Sequence, residues 1–170
     1  MGIIQALGYE VPRPNAAQRA MWHVSASRLG SWIFARTLPK ADRFLLWASR
    51  GRITVPGVAA GIPVLTITTV GARTGLPRTT PLIGIPYGED IAVIGTRFGQ
   101  HGTPGWFYNL RSDPRLQVAF RDNSVQAIAR EADAEEWNPI WTTARGIYAG
   151  YEAYARRIQD RQIRIMVLSS

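Results

Sequence analysis

Gly71-Ala72-Arg73-Thr74-Gly75-Leu76-Pro77-Arg78-Thr79-Thr80-Pro81 joins two strand-like runs, and its reading decides the fold. Before it, Pro63-Val64-Leu65-Thr66-Ile67-Thr68-Thr69-Val70 is rich in β-branched residues, and the run from Thr79 to Pro86 after it is partly so. Two glycines bracket Ala72-Arg73-Thr74, which reads as a tight hairpin connection with glycine supplying any φ > 0 position. A turn needs only polarity, yet this one carries Arg73 at its tip, Arg78 after Pro77, and hydroxyls at Thr74, Thr79 and Thr80. With the backbone N–H groups, they suit an anionic ligand, most simply a phosphate. The alternative is a plain hairpin turn with one arginine. A Walker loop is excluded, since no Gly-Lys-Ser/Thr follows. A dinucleotide fingerprint is excluded too, since Gly-x-Gly-x-x-Gly is absent and the next segment is strand-like.

Downstream, Ile91-Ala92-Val93-Ile94-Gly95 reads as a short buried strand, after a turn at 87–90. The polar, glycine-rich stretch 96–104 reads as a loop without structure of its own. Pro104 then leads a short helix from Gly105 to Leu110 that stops at Ser112-Asp113-Pro114. Leu116–Arg121 and Ser124–Arg130 flank a turn at Asp122-Asn123, with Val118 and Phe120 alternating with polar neighbours. Asp133 with Glu136 forms a capping-box pattern for a helix toward Arg145. Residues 149–157 are helical in composition, and 163–168 make a last strand. Five or six short antiparallel strands with helices at the ends predict an α+β protein built on a small barrel.

Upstream, the chain changes character. Its net charge is +8, but up to Ala60 eight basic residues face only Glu10 and Asp42, so this part carries +6 and the rest is nearly balanced. Asn15 is placed to cap a helix from Ala16, with Trp22, Ala26, Leu29 and Ile33 at helical spacing. A second helix is expected from Pro39 to Ser49 or Arg50, with Gly51 as its stop. Basic amphipathic helices bearing tryptophan either lie on an anionic membrane or pack on the domain or a partner subunit. Residues 1–61 are therefore expected as a basic helical segment and 62–170 as the barrel domain, within one globular unit.

The chain has no cysteine, which excludes disulfides, zinc–thiolate sites, iron–sulfur clusters and thiol catalysis. The first residues lack a signal-peptide pattern and no apolar run approaches membrane-spanning length, so the expected location is cytoplasmic. His23 and His101 are the only histidines, with no zinc pair and no Gly-x-Ser-x-Gly elbow, so neither a metal site nor a hydrolase is expected. Nor is nucleic-acid binding, because the aromatics of the basic segment follow an amphipathic pattern.

Residues 65–82, with Gly-Ala-Arg-Thr-Gly-Leu-Pro-Arg at their centre, resemble the signature of the deazaflavin (F420)-dependent nitroreductase family, whose turn reads Gly-Arg-Lys-Ser/Thr-Gly-x-Pro-Arg. Pro104-Gly105-Trp106-Phe107-Tyr108-Asn109-Leu110-Arg111-Ser112-Asp113-Pro114 is similar to that family's Pro-x-Trp-Tyr-x-Asn-Leu-x-x-Asn-Pro. Tyr148-Ala149-Gly150-Tyr151-Glu152-Ala153-Tyr154 resembles a tyrosine cluster of its nitroimidazole-reducing member. The likeness runs from Ile62 to the C-terminus in the same order and spacing.

The resemblance implies a split β-barrel that binds coenzyme F420, a deazaflavin with a phosphate and an anionic tail. Arg73, Arg78 and Arg97 would then supply positive charge, and Thr74, Gly75, Thr79, Thr80, Pro81 and Thr96 would line the cofactor. Trp106 and Asn109 would shape and close the pocket, although a plain core tryptophan is an equal reading of Trp106. The implied reaction is hydride transfer from the reduced cofactor to an enone, quinone or nitro compound. Tyr148, Tyr151 and Tyr154, three apart and so sharing a helical face, would wall the substrate pocket or donate a proton; a packing stripe is the alternative. Ala72 stands where the family has a basic residue. Ile83 replaces a tyrosine and Phe98 a glycine, which makes the pocket more apolar and speaks against nitroimidazoles. A lipid- or fatty-acid-binding carrier of the same fold without redox activity is the competing function, and barrels of this type often pair as homodimers.

Overall fold

A computed structural model of the protein describes residues 1–12, 15, 62–158 and 162–170. The helices expected from Ala16 and Pro39 lie outside the described residues. Six antiparallel strands close a barrel: β1 Val64–Val70, β2 Pro77–Tyr87, β3 Asp90–Ile94, β4 Arg115–Phe120, β5 Asn123–Glu131 and β6 Ile165–Ser169. Their order is β1-β2-β3-β6-β5-β4, with β4 pairing back onto β1. The helices described are α1 Ile3–Leu7, α2 Gly105–Ser112, α3 Ala134–Ile147 and α4 Gly150–Arg157. The expected α+β split barrel is the observed architecture.

The side-chain pattern explains which strands are covered. Leu65 and Ile67 of β1, and Leu116, Val118 and Phe120 of β4, point inward at every second residue, leaving polar residues outside. β3 and β6 are apolar on both faces. Ile91, Val93, Met166 and Leu168 fill the barrel, whereas Ala92, Ile94, Ile165 and Val167 face a second core built with Ile140, Ala144 and three tyrosines of the α3–α4 region. The unbroken runs at 91–94 and 165–168 therefore mark the wall that helices cover.

β2 is long because it serves two partners. Residues 77–83 pair with β1, and 84–87 pair with β3. At the changeover Gly84 has no side chain, and a Cβ there would overlap the phenol of Tyr9. The Tyr9 hydroxyl lies 2.9 Å from the Pro63 carbonyl and 2.7 Å from the Gly84 carbonyl, pinning the bend to the start of β1. Tyr9 follows α1, whose Ile3 and Leu7 enter the barrel interior, and its ring stands edge-on to Phe120 at 4.7 Å. The five-residue α1 closes the end that carries the β2–β3 and β4–β5 turns, through Ile4 N to Glu89 O and Asn123 Nδ2 to Leu7 O. No helical period is legible in five residues.

Other boundaries differ by small amounts with physical reasons. The β4–β5 turn is Arg121-Asp122, with Arg121 at φ 53°, so Asn123 already pairs with Phe120. The loop after β3 contains a tight turn at Arg97–Gly99 that composition did not reveal. The Asp133–Glu136 capping box is formed, and α3 runs on to Ile147. Among the described residues no helix is long and apolar enough to cross a membrane.

Candidate functional site

Strand directions gather the chemistry at one end of the barrel. The β1–β2 turn, the loop after β3, α2 and the start of β4 all lie at the end opposite α1. Within the turn, Gly71 N donates to Leu76 O at 2.9 Å, while Thr74 N and Gly75 N donate to Gly71 O at 3.1 and 2.7 Å. Gly75 has φ 66°, which only glycine adopts cheaply. Ala72 N donates to Asn109 Oδ1 at 3.0 Å, and Leu76 N reaches Thr74 Oγ1 at 3.4 Å. Of the N–H groups at 71–76, Arg73's alone is left without an acceptor among the described residues. The expected cradle of backbone N–H groups is therefore not present; these donors build the turn itself. Attraction for an anion falls to the guanidiniums.

Arg73, Arg78 and Arg97 are exposed. Arg115, Arg121, Arg130, Arg145 and Arg164 each pair with a carboxylate, but these three do not among the described residues. Arg78 Nη2 lies 3.4 Å from Thr74 Oγ1, and Arg97 Nη1 donates to His101 O at 2.8 Å. Thr79 shares a 2.9 Å hydroxyl contact with Thr68. Thr80 and Pro81 continue β2, half-buried, opposite Ile67 and Thr66.

The loop after β3 joins the arginine end to the second core. Thr96 is buried, and Arg97, Phe98 and Gly99 follow with φ of 48°, 56° and 74°. Two successive left-handed residues other than glycine cost about 1–2 kcal/mol each, so their surroundings must hold them there. Phe98 packs edge-on to Tyr154 at 6.0 Å, and Gly99 lies so close to α4 that a Cβ would come 3.1 Å from Tyr154 Cα.

Tyr148, Tyr151 and Tyr154 are all buried and meet, but not as one helical stripe. Tyr148 sits in the junction between α3 and α4, with φ −147°, and only Tyr151 and Tyr154 belong to α4. The ring of Tyr148 lies 5.8 Å from that of Tyr151 and 6.0 Å from that of Tyr154, and the Tyr148 and Tyr154 hydroxyls are 3.0 Å apart. Burial, then the neighbouring Tyr148, pushes the Tyr151 and Tyr154 phenols well above the usual tyrosine range, so both stay protonated at neutral pH. Ile83 and Phe98 pack on the same cluster, so the five residues expected to wall the pocket share one environment.

Trp106 is buried in the barrel interior beside Phe107 and Leu110. From the half-buried Asn109, Nδ2 donates to Thr69 Oγ1 at 3.0 Å, while Oδ1 holds the turn. Thr69 joins the site through Asn109 although no motif marks it. The signal for Thr69 was its parity: it follows Leu65 and Ile67 on the inward face, where a hydroxyl needs a partner.

The F420H(2)-dependent quinone reductase family model matches residues 35–170. An F420H(2)-dependent quinone reductase of Mycobacterium tuberculosis (strain ATCC 25618 / H37Rv) is 33% identical over 72 residues, covering 41% of this chain and 46% of that protein. The chain thus spans about half the length of the curated relatives it matches. A solved F420-H2 dependent reductase (FDR-A) is similar at a TM-score of 0.57 and 28% identity, over 62% of this chain and 93% of that one. A domain-swapped dimer is similar at a TM-score of 0.59 and 25% identity, over 81% and 97%. Because the family model spans the whole barrel, its arginine-bearing turn and the tyrosine cluster, the chain belongs to the F420H(2)-dependent quinone reductase family.

Proposed function

We propose that the chain binds reduced coenzyme F420 and reduces a flat, apolar acceptor, with quinones favoured, cyclic enones next and nitroimidazoles disfavoured. The observation that carries this is the grouping of Arg73, Arg78 and Arg97, without carboxylate partners among the described residues, at the barrel end whose loop leads through Phe98 to a buried phenol cluster. An anionic cofactor fits that donor set: guanidinium forks bind phosphate and carboxylate oxygens, and Thr74, Gly75, Thr79, Thr80, Pro81 and Thr96 lie along the same end. When bound, reduced F420 supplies the hydride.

The chain's own residues do the rest. Ile83 and Phe98 offer an apolar wall to a planar ring and help exclude water. Hydride addition to a quinone or enone leaves charge on oxygen, and the phenol of Tyr154 or Tyr148 is suited to hydrogen-bond that oxygen or return a proton. The family name and the reductase relative support the same reading.

The protein is further proposed to act as a homodimer on the cytoplasmic side, with the basic segment before Ala60, bearing Trp22, Trp32 and Trp47, adding affinity for anionic lipid. Co-sedimentation with anionic vesicles that falls as salt rises is the expected behaviour; protein left in the supernatant at low salt counts against it. The reaction is tested by stopped-flow mixing of F420H2-loaded protein with quinones, enones and nitro compounds. Oxidation by quinones is expected. Failure with every acceptor, if F420 still binds, would favour the non-redox carrier.

A further inference from the structure

We propose that Asn109 and the buried Thr69 are positioning residues: they clamp the β1–β2 turn so that Arg73 and Arg78 are presented to the cofactor's anionic groups. This rests on the F420 reading above. Three contacts make the clamp. Asn109 Oδ1 accepts from Ala72 N at 3.0 Å, Asn109 Nδ2 donates to Thr69 Oγ1 at 3.0 Å, and Thr69 Oγ1 donates to Arg78 O at 3.4 Å. One side chain of α2 thus ties the last inward residue of β1 to the turn, and Thr69 carries the tie on to β2. Ala72 and Arg78 are the points held, and Arg73 lies between them.

The donor accounting explains why such a clamp matters. The other backbone N–H bonds of the turn close within it, on Gly71 O, Leu76 O and Thr74 Oγ1, so they give it a shape but no fixed orientation on the barrel; the one further tie, Arg78 Nη2 to Thr74 Oγ1, runs through a long exposed side chain. Orientation comes from the β1–β2 ladder, which ends at Val70 and Pro77, and from Asn109. Both ends of the Asn109 amide are engaged by protein, and Thr69, 2% exposed, is shut off from any ligand. Thr69 therefore acts only through its protein contacts, whereas the half-buried Asn109 retains one N–H and one lone pair beyond the two contacts it makes. Both act through the backbone that carries the arginines, where small displacements weaken charge-assisted contacts.

The test uses full-length protein labelled with nitrogen-15, with two readouts: hydrogen exchange at the Ala72 amide, and F420 affinity by fluorescence titration. Asn109→Leu, which keeps the bulk, is expected to accelerate Ala72 exchange and weaken F420 binding, each by about tenfold, the size of one lost hydrogen bond. Thr69→Val is expected to weaken F420 binding severalfold, and Thr69→Ser, which restores the hydroxyl, to recover it. This pair also decides the matter should Asn109→Leu fail to fold. Arg73→Ala is expected to weaken F420 binding while leaving Ala72 exchange as in wild type, which separates direct contact from positioning. Wild-type affinity in both Asn109→Leu and Thr69→Val overturns the clamp, as does weakened binding in Asn109→Leu with unchanged Ala72 exchange. A wild-type protein that binds no F420 overturns the functional reading and the clamp's role with it, an outcome distinct from failure of the clamp alone.

Discussion

Replacing Gly150 by alanine tests whether the buried phenol cluster is as tightly built as the geometry indicates. A Cβ at Gly150 would fall on the ring of Tyr148, overlapping Cζ, Cε1 and Oη. To reach ordinary contact the ring must retreat by about 1 Å or more, against a packed core, and the 3.0 Å contact between the Tyr148 and Tyr154 hydroxyls must stretch with it. Overpacking of this kind costs about 1–3 kcal/mol and the hydroxyl contact about 1 more. Alanine returns roughly 0.5–1 kcal/mol by restricting the unfolded chain, leaving a net loss of about 1–3 kcal/mol. For a chain of this size that lowers Tm by roughly 3–10 °C. Acceptor reduction should slow, and F420 affinity should hold, because the three arginines lie outside the cluster. Thermal melts, fluorescence titration and stopped-flow mixing read the three quantities. A Gly150→Ala protein with wild-type Tm and acceptor kinetics would refute the packing and its role.

Three further outcomes follow from particular contacts. Tyr9→Phe removes a buried hydroxyl set between two carbonyls and should destabilise by about 1–3 kcal/mol in urea unfolding, with F420 affinity unchanged. Glu136 has its carboxyl lowered to about 2, chiefly by the Arg130 guanidinium at 2.6 Å; its stabilisation is present above about 4.5 and is lost as pH falls toward 2. With Arg130 half-exposed and screened, urea unfolding should show wild type losing about 1–2 kcal/mol more than Glu136→Gln across that window. Tyr154→Phe should lower kcat by about 10²-fold or more if its phenol serves the acceptor oxygen; a change confined to KM would make it a binding wall.

Much of the barrel was legible because alternation and unbroken apolar runs report burial directly: β1 and β4 alternate, while β3 and β6 are apolar on both faces. The capping box at Asp133 was equally local, hence readable. What escaped depends on distant pairings. The helix at Ile3–Leu7 is too short for a period, and its place in the core follows from the Tyr9 contacts with Pro63 and Gly84, far along the chain. The left-handed run at 97–99 is held by packing on α4, which composition does not record. At the site, the residue types around the turn were visible. Which N–H groups the turn consumes was not, because that depends on an α2 side chain reaching Ala72.

The central claim is that guanidiniums at one end of the barrel recruit F420, and a fluorescence titration of F420 into wild type, Arg73→Ala and Arg78→Ala tests it most directly. The account predicts that wild type binds F420 in preference to FMN and that each substitution weakens binding by roughly ten- to a hundredfold, while Tm stays near wild type. FMN bound more tightly than F420, or F420 bound equally well by all three proteins, would contradict it.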